Sequence, residues 1–136
     1  MKSMELRELV NREIKATIVP ELRKYNFKES FPHFRRTHKD GKFDYLSFQF
    51  NKYGGSFIVE LASAYPYKGW EGNFYYWKEI TPEFLKKSHY GYTKERLRLK
   101  PDGEDWFQFD EQNYKKTVES ALEKILVNLN YFDKKL

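Results

Sequence analysis

The chain has 136 residues, 40% of them hydrophobic and 19% aromatic, with a net charge of +5 and no cysteine. Such a length suits one domain, 1–136, built on one core, and this apolar share excludes a disordered chain. The missing Cys excludes disulfides, thiolate metal sites and a Cys nucleophile, while the mixed N-terminus MKSMELRELVNREI reads as neither signal peptide nor membrane span, so a cytoplasmic protein is expected.

Leu6, Val10, Ile14, Ile18 and Leu22, with Tyr25 following, recur at steps of four and three, which lines one face of a helix. Pro20 lies inside this stripe, and proline removes a helix hydrogen bond. A kinked helix from Ser3 to Tyr25 is the expectation, with Asn26 as its stop.

Strands follow, and their turns allow the register to be argued. Asp40-Gly41 marks a hairpin. A three-residue loop, Lys39 to Gly41, sets Phe34 opposite Leu46, Arg36 opposite Asp44 and Arg35 opposite Tyr45. Opposite charges then match, as do apolar partners. At FNKYGGSF a loop of Lys52-Tyr53-Gly54-Gly55 sets Phe50 opposite Phe57, Phe48 opposite Val59 and Leu46 opposite Leu61. A phosphate-cradling glycine loop leads into a helix, whereas here the β-rich run FIVELA follows. The glycines are therefore read as turn residues that supply positive φ.

The stretch 65–77 crowds Tyr65, Tyr67, Trp70, Phe74, Tyr75, Tyr76 and Trp77 around Pro66, Gly69 and Gly72. NFYYWKEI is read as a strand or an edge segment, and TPEFLKKS as a short helix capped by Thr81 with Pro82 at its first position. ERLRLKPDGEDWFQF is expected to form a last hairpin about Pro101-Asp102-Gly103, pairing Leu97 with Phe107 and Arg98 with Trp106. From Glu111 a helix carries Tyr114, Val118, Ala121, Leu122, Ile125 and Leu129 on one stripe, with Asp110 as its cap. The expected class is α+β: an antiparallel, hairpin-built sheet flanked by a long N-terminal helix and a C-terminal helix.

The order of these elements resembles an uncharacterised bacterial family catalogued as domain of unknown function 4304. The resemblance rests on Gln49, Tyr53, Gly54 and Gly55 in the second hairpin, and on Arg96, Arg98 and Trp106 later in the chain. It covers nearly the whole chain apart from 65–77. It implies a fold and brings no activity, substrate or catalytic residue.

No catalytic or metal-binding constellation stands out. His33, His38 and His89 fall at no recognised ligand spacing and read as surface side chains, so no metal and no cofactor is expected. The sheet face opposite Phe48 and Phe50 would carry His33, Arg35, Tyr45, Ser47 and Gln49. Whether the helices leave that face open, and whether Arg98 and Trp106 share it, are open on the sequence. Candidate binding residues are Arg35, Tyr45, Tyr53, Trp70, Trp77, Arg98 and Trp106, since Arg and aromatic rings anchor interfaces.

The expected function is a non-enzymatic protein-interaction module with a protein partner, of which an immunity-type protein is one form. The alternative is a single-stranded nucleic-acid binder that uses the Arg35/Tyr45 face. An enzyme acting on a small ligand near the aromatic stretch is a third reading. No membrane partner is expected. The basic excess sits mainly in residues 1–42, with 11 Lys and Arg against 6 Asp and Glu, and acids are mixed in throughout.

Overall fold

A computed structural model describes residues 3–39, 42–64, 97–101 and 106–133. The expected strand at NFYYWKEI, the helix at TPEFLKKS, and residues Trp70, Trp77 and His89 lie outside the described residues. The N-terminal stripe forms α1 (Ser3–Thr17) and α2 (Val19–Lys24). The break falls at Ile18, two residues before Pro20, whose missing N–H cannot continue the ladder. The chain stays in phase across it, because Ile18 N–H bonds Ile14 O at 2.8 Å and Leu22 N–H bonds Ile18 O at 3.0 Å. Val10, Ile14, Ile18 and Leu22 are therefore all fully buried on one stripe.

Asn26 stops the helix as expected. Its φ is 69°, its N–H bonds Arg23 O at 3.1 Å, and Phe27 N–H reaches back to Leu22 O at 3.1 Å. These two bonds form a Schellman cap, in which a left-handed residue satisfies carbonyls of the last helical turn. Phe27 then drops into the core.

Strands β1 (His33–Thr37), β2 (Phe43–Phe50) and β3 (Ser56–Ala64) form an antiparallel meander with the registers argued above. Gly54 and Gly55 turn the second hairpin at φ 87° and 78°, which answers for the glycine pair. Gly54 N–H bonds Asn51 O at 2.9 Å, and Asn51 Oδ1 also accepts from Tyr53 N–H at 2.9 Å.

The last hairpin is a correction. Strands β4 (Leu97–Leu99) and β5 (Phe107–Gln108) do not pair with each other as the Pro-Asp-Gly turn suggested. Both pair with β3, so Leu97 faces Leu61, Leu99 faces Val59 and Phe107 faces Phe57. They follow one another along the same edge of β3. A turn signal is local, whereas the free edge of a nine-residue strand offers ladder bonds and apolar partners to both segments.

The C-terminal helix α3 (Tyr114–Val127) starts three residues later than expected, yet Asp110 still organises its entry. Asp110 Oδ1 accepts from the N–H groups of Gln112 and Asn113 at 2.9 and 2.8 Å, and Asn113 Oδ1 accepts from Asp110 N–H at 2.7 Å. A 3-10 helix, Leu129–Asp133, ends the described chain.

Cross-strand partners share a face and neighbours along a strand alternate. Phe34, Leu46, Phe48, Phe57, Val59, Leu61, Leu99 and Phe107 thus line one face, and they form one core with the buried stripes of α1, α2 and α3. The fold is the expected α+β, with both terminal helices on this face. No described helix is long and apolar enough to cross a membrane.

Candidate functional site

The covered face is apolar except at one end. There the register aligns Arg36, Asp44 and Ser63 in a row, and Asp44 and Ser63 are fully buried. A buried carboxylate requires compensation, and Asp44 receives it on both oxygens. Oδ2 accepts Arg36 Nε at 2.9 Å and Nη2 at 2.8 Å, and His38 Nε2 lies 2.6 Å from it. Oδ1 accepts Ser63 Oγ at 3.0 Å, with Lys42 Nζ at 3.5 Å. Lys42 Nζ also donates to Phe132 O, which ties the hairpin to the end of the chain. The Arg36 guanidinium donates to Tyr25 O at 2.9 Å and lies over the Phe27 and Phe132 rings at 4.7 and 5.3 Å.

Ser, Asp and His meet here, but not in the order a nucleophile needs. The carboxylate lies between the other two, so His38 cannot take the proton of Ser63. The cluster is a structural knot, and one side of it opens to solvent. Among the described residues no group of three or more His, Asp or Glu is placed to hold a metal ion.

Beside this knot lies a cleft of about 590 Å³, lined by Lys28, Arg35, Arg36, His38 and Lys39. Glu29 and Asp133 line it too, so four fixed positive charges stand there with two negative ones. Asn26 and Thr37 complete the wall. The segment after the Schellman cap builds one side, the edge of β1 the other. Lys28 touches that edge as a single bridge: its N–H bonds Arg35 O at 2.7 Å, and Arg35 N–H bonds Lys28 O at 3.1 Å. The Arg23 guanidinium steadies the segment from below through Phe27 O at 3.0 Å and Glu29 O at 2.6 Å.

Of the sequence candidates, Arg35 lines this cleft. Tyr45 does not. It lies on the sheet face away from the helices, with the Arg35 guanidinium 5.8 Å from its ring centroid, yet it is only 1% exposed. An open face at Tyr45 was expected if both helices lay on the other side; the helices do lie there, and the ring is nevertheless buried. Its hydroxyl is buried without a hydrogen-bond partner among the described residues. Burial pushes the phenol above its ordinary pKa, and the Arg35 charge opposes that shift.

Arg98 proves to share the face of Arg35 and Tyr45, since it pairs with Glu60, which pairs with Ser47. Its guanidinium lies 5.0 Å from the Trp106 ring centroid, so the two side chains meet although the residues are not strand partners as expected. Trp106 borders a second hollow of about 370 Å³ with Gln108, Lys116 and Thr117, between β5 and α3. Tyr53 stands 82% exposed at the tip of the glycine turn, with Lys52 Nζ 5.0 Å from its ring. These candidates are spread over the molecule rather than gathered into one site.

The sequence reading missed Lys28, His38 and Lys39. Their signal was partly present. The predicted register already lined up Arg36 with Asp44, and Asn26 already marked the turn that brings Lys28 to β1.

No curated protein and no solved structure matches this chain. The profile of the family described as Domain of unknown function (DUF4304) matches residues 18–131, from the break between α1 and α2 to the 3-10 helix, and the chain belongs to that family.

Proposed function

We propose that this protein is a non-enzymatic protein-interaction module whose contact site is the cationic cleft beside β1, and that its partner presents an acidic segment there. The observation that carries this reading is the convergence of Lys28, Arg35, Arg36, His38 and Lys39 on one cavity. Arg36 is already held by Asp44. Lys28 and Lys39 are exposed, and their ammonium groups have no partner among the described residues. Complementary charge steers association and fixes register more than it adds affinity.

The nucleic-acid alternative is less well supported. Single-strand readers stack bases on exposed rings, and Tyr45 is buried while, among the described residues, no Phe, Tyr or Trp lines the cleft. An immunity-type role remains one form of the interaction reading.

The test is affinity capture by the tagged protein from lysate of the cells that make it, with and without nuclease. The expected outcome is a stoichiometric protein that survives nuclease and is lost with the Lys28→Glu/Lys39→Glu variant at unchanged melting temperature. Equal capture by that variant, or material lost on nuclease treatment, overturns the proposal. Trp70→Ala and Trp77→Ala in the same assay test the aromatic stretch as a second contact.

A further inference from the structure

The cleft is also a strand edge, and the described residues leave that edge part-used. Among the described strands, in the order β1-β2-β3-β4, β1 is outermost. Backbone N–H and C=O of one strand residue point the same way, and the direction alternates along the chain. Arg35 directs both groups outward, to Lys28. Arg36 faces β2, and His38 N–H bonds Lys42 O at 2.8 Å on that same inner side. Thr37 therefore points its N–H and C=O outward, into the cleft it lines. Neither group has a partner among the described residues.

The local geometry explains why this pair is left over. Lys28 runs antiparallel to Arg35, so the residue that would meet Thr37 is Asn26. Asn26 is held at φ 69° by the Schellman cap and belongs to the helix end instead. The chain begins a fifth strand position at Lys28 and abandons it after one bridge.

We infer that an extended acidic segment of the partner adds to the sheet at this point, antiparallel to β1, taking up the Thr37 N–H and C=O. The inference rests on the cleft reading above and deepens it by naming how the partner binds. Strand addition draws affinity from main-chain bonds and specificity from alternate side chains. Here Arg35 and Lys39 flank Thr37 on one sheet face, and Arg36 and His38 flank it on the other. Carboxylates on either face of the incoming strand meet a cation. A second copy of this chain is disfavoured at the same edge, because Lys and Arg there would face their own kind. Glu29 and Asp133, which also line the cleft, repel an acidic ligand and so favour its seating along β1.

The experiment uses two probes, a short peptide of alternating Glu and Val and the same peptide N-methylated at alternate backbone nitrogens. Binding is measured by calorimetry to the native protein, to Thr37→Pro and to Lys28→Glu/Lys39→Glu. Proline is tolerated on an edge strand where its N–H faces out, and a melting curve checks that the variant is folded. The expected result is that N-methylation and Thr37→Pro each weaken binding by about tenfold or more, the worth of one or two main-chain bonds. If the N-methylated peptide binds as well as its parent, and both are lost with the Lys double variant, strand addition is overturned while the cleft reading stands. If the unmodified peptide does not bind the native protein, strand addition is overturned, and the capture experiment decides the cleft reading separately.

Discussion

The two ends of the helix-covered sheet face are built on opposite plans. At one end Phe48, Phe50, Phe57, Phe107 and Phe109 pack ring on ring, with Phe57 and Phe107 stacked at 5.3 Å and 18°. At the other, one carboxylate gathers Arg36, His38, Lys42 and Ser63. The aromatic end holds by buried area, which asks little of direction. The Asp44 end holds by pairing, which tolerates no missing member, because a buried charge without its partner is costly. The binding cleft adjoins the brittle end. The contacts that shape it are thus the same ones that let a row of charge sit inside a core.

This contrast is open to direct attack. Asp44→Ala leaves Arg36 and Lys42 facing each other without their anion, and a loss of about 3–5 kcal/mol is expected in urea melts. Leu46 lies two residues along the same strand and is just as buried. Leu46→Met keeps its volume and should cost under about 1.5 kcal/mol. Equal costs for the two would sink the comparison.

A smaller effect of opposite sign is expected on the far face. Tyr45→Phe removes a buried hydroxyl that has no partner among the described residues, and should raise stability by about 1 kcal/mol. It should also change the alkaline limb. The unfolded chain loses the Tyr45 proton near pH 10, its ordinary value, whereas burial keeps the folded phenol protonated beyond that. The stabilisation is full below about pH 10 and drains away as pH rises above it. Urea melts from pH 8 to 11 should show a shallower decline for Tyr45→Phe. An unchanged slope would mean that this phenol ionises alike in both states.

Legibility in the sequence followed the reach of each interaction. The β1-β2 and β2-β3 registers were readable because short turns tie neighbouring strands together, and a slip of one residue would turn Phe48 and Leu46 outward. Asn26 was readable as a helix stop because its left-handed conformation is a local matter. The pairing of β4 and β5 was not, since the edge of β3 that captures them is set far away in sequence. The same holds for the cleft. Its walls come from the α2 cap, the β1 edge and Asp133, and no short window of sequence contains all three. Asp44 lies between these cases. Its facing of Arg36 was predicted, and the same register implies Ser63. What the pattern lacked was that Lys42 reaches the carbonyl of Phe132 and that His38 folds back onto the carboxylate.

The second glycine of the β2-β3 turn carries one more consequence, and it concerns handedness. A Cβ placed on Gly55 would meet nothing within 4 Å, yet the residue sits at φ +78°. Crowding is therefore not what keeps a side chain away; only the chirality of ordinary amino acids is. An L-alanine here is strained by its own backbone. A D-alanine, installed by chemical ligation, has its mirror-image preference at this φ. It should tighten the turn by about 0.4–1 kcal/mol by restricting the unfolded chain while touching nothing in the folded one.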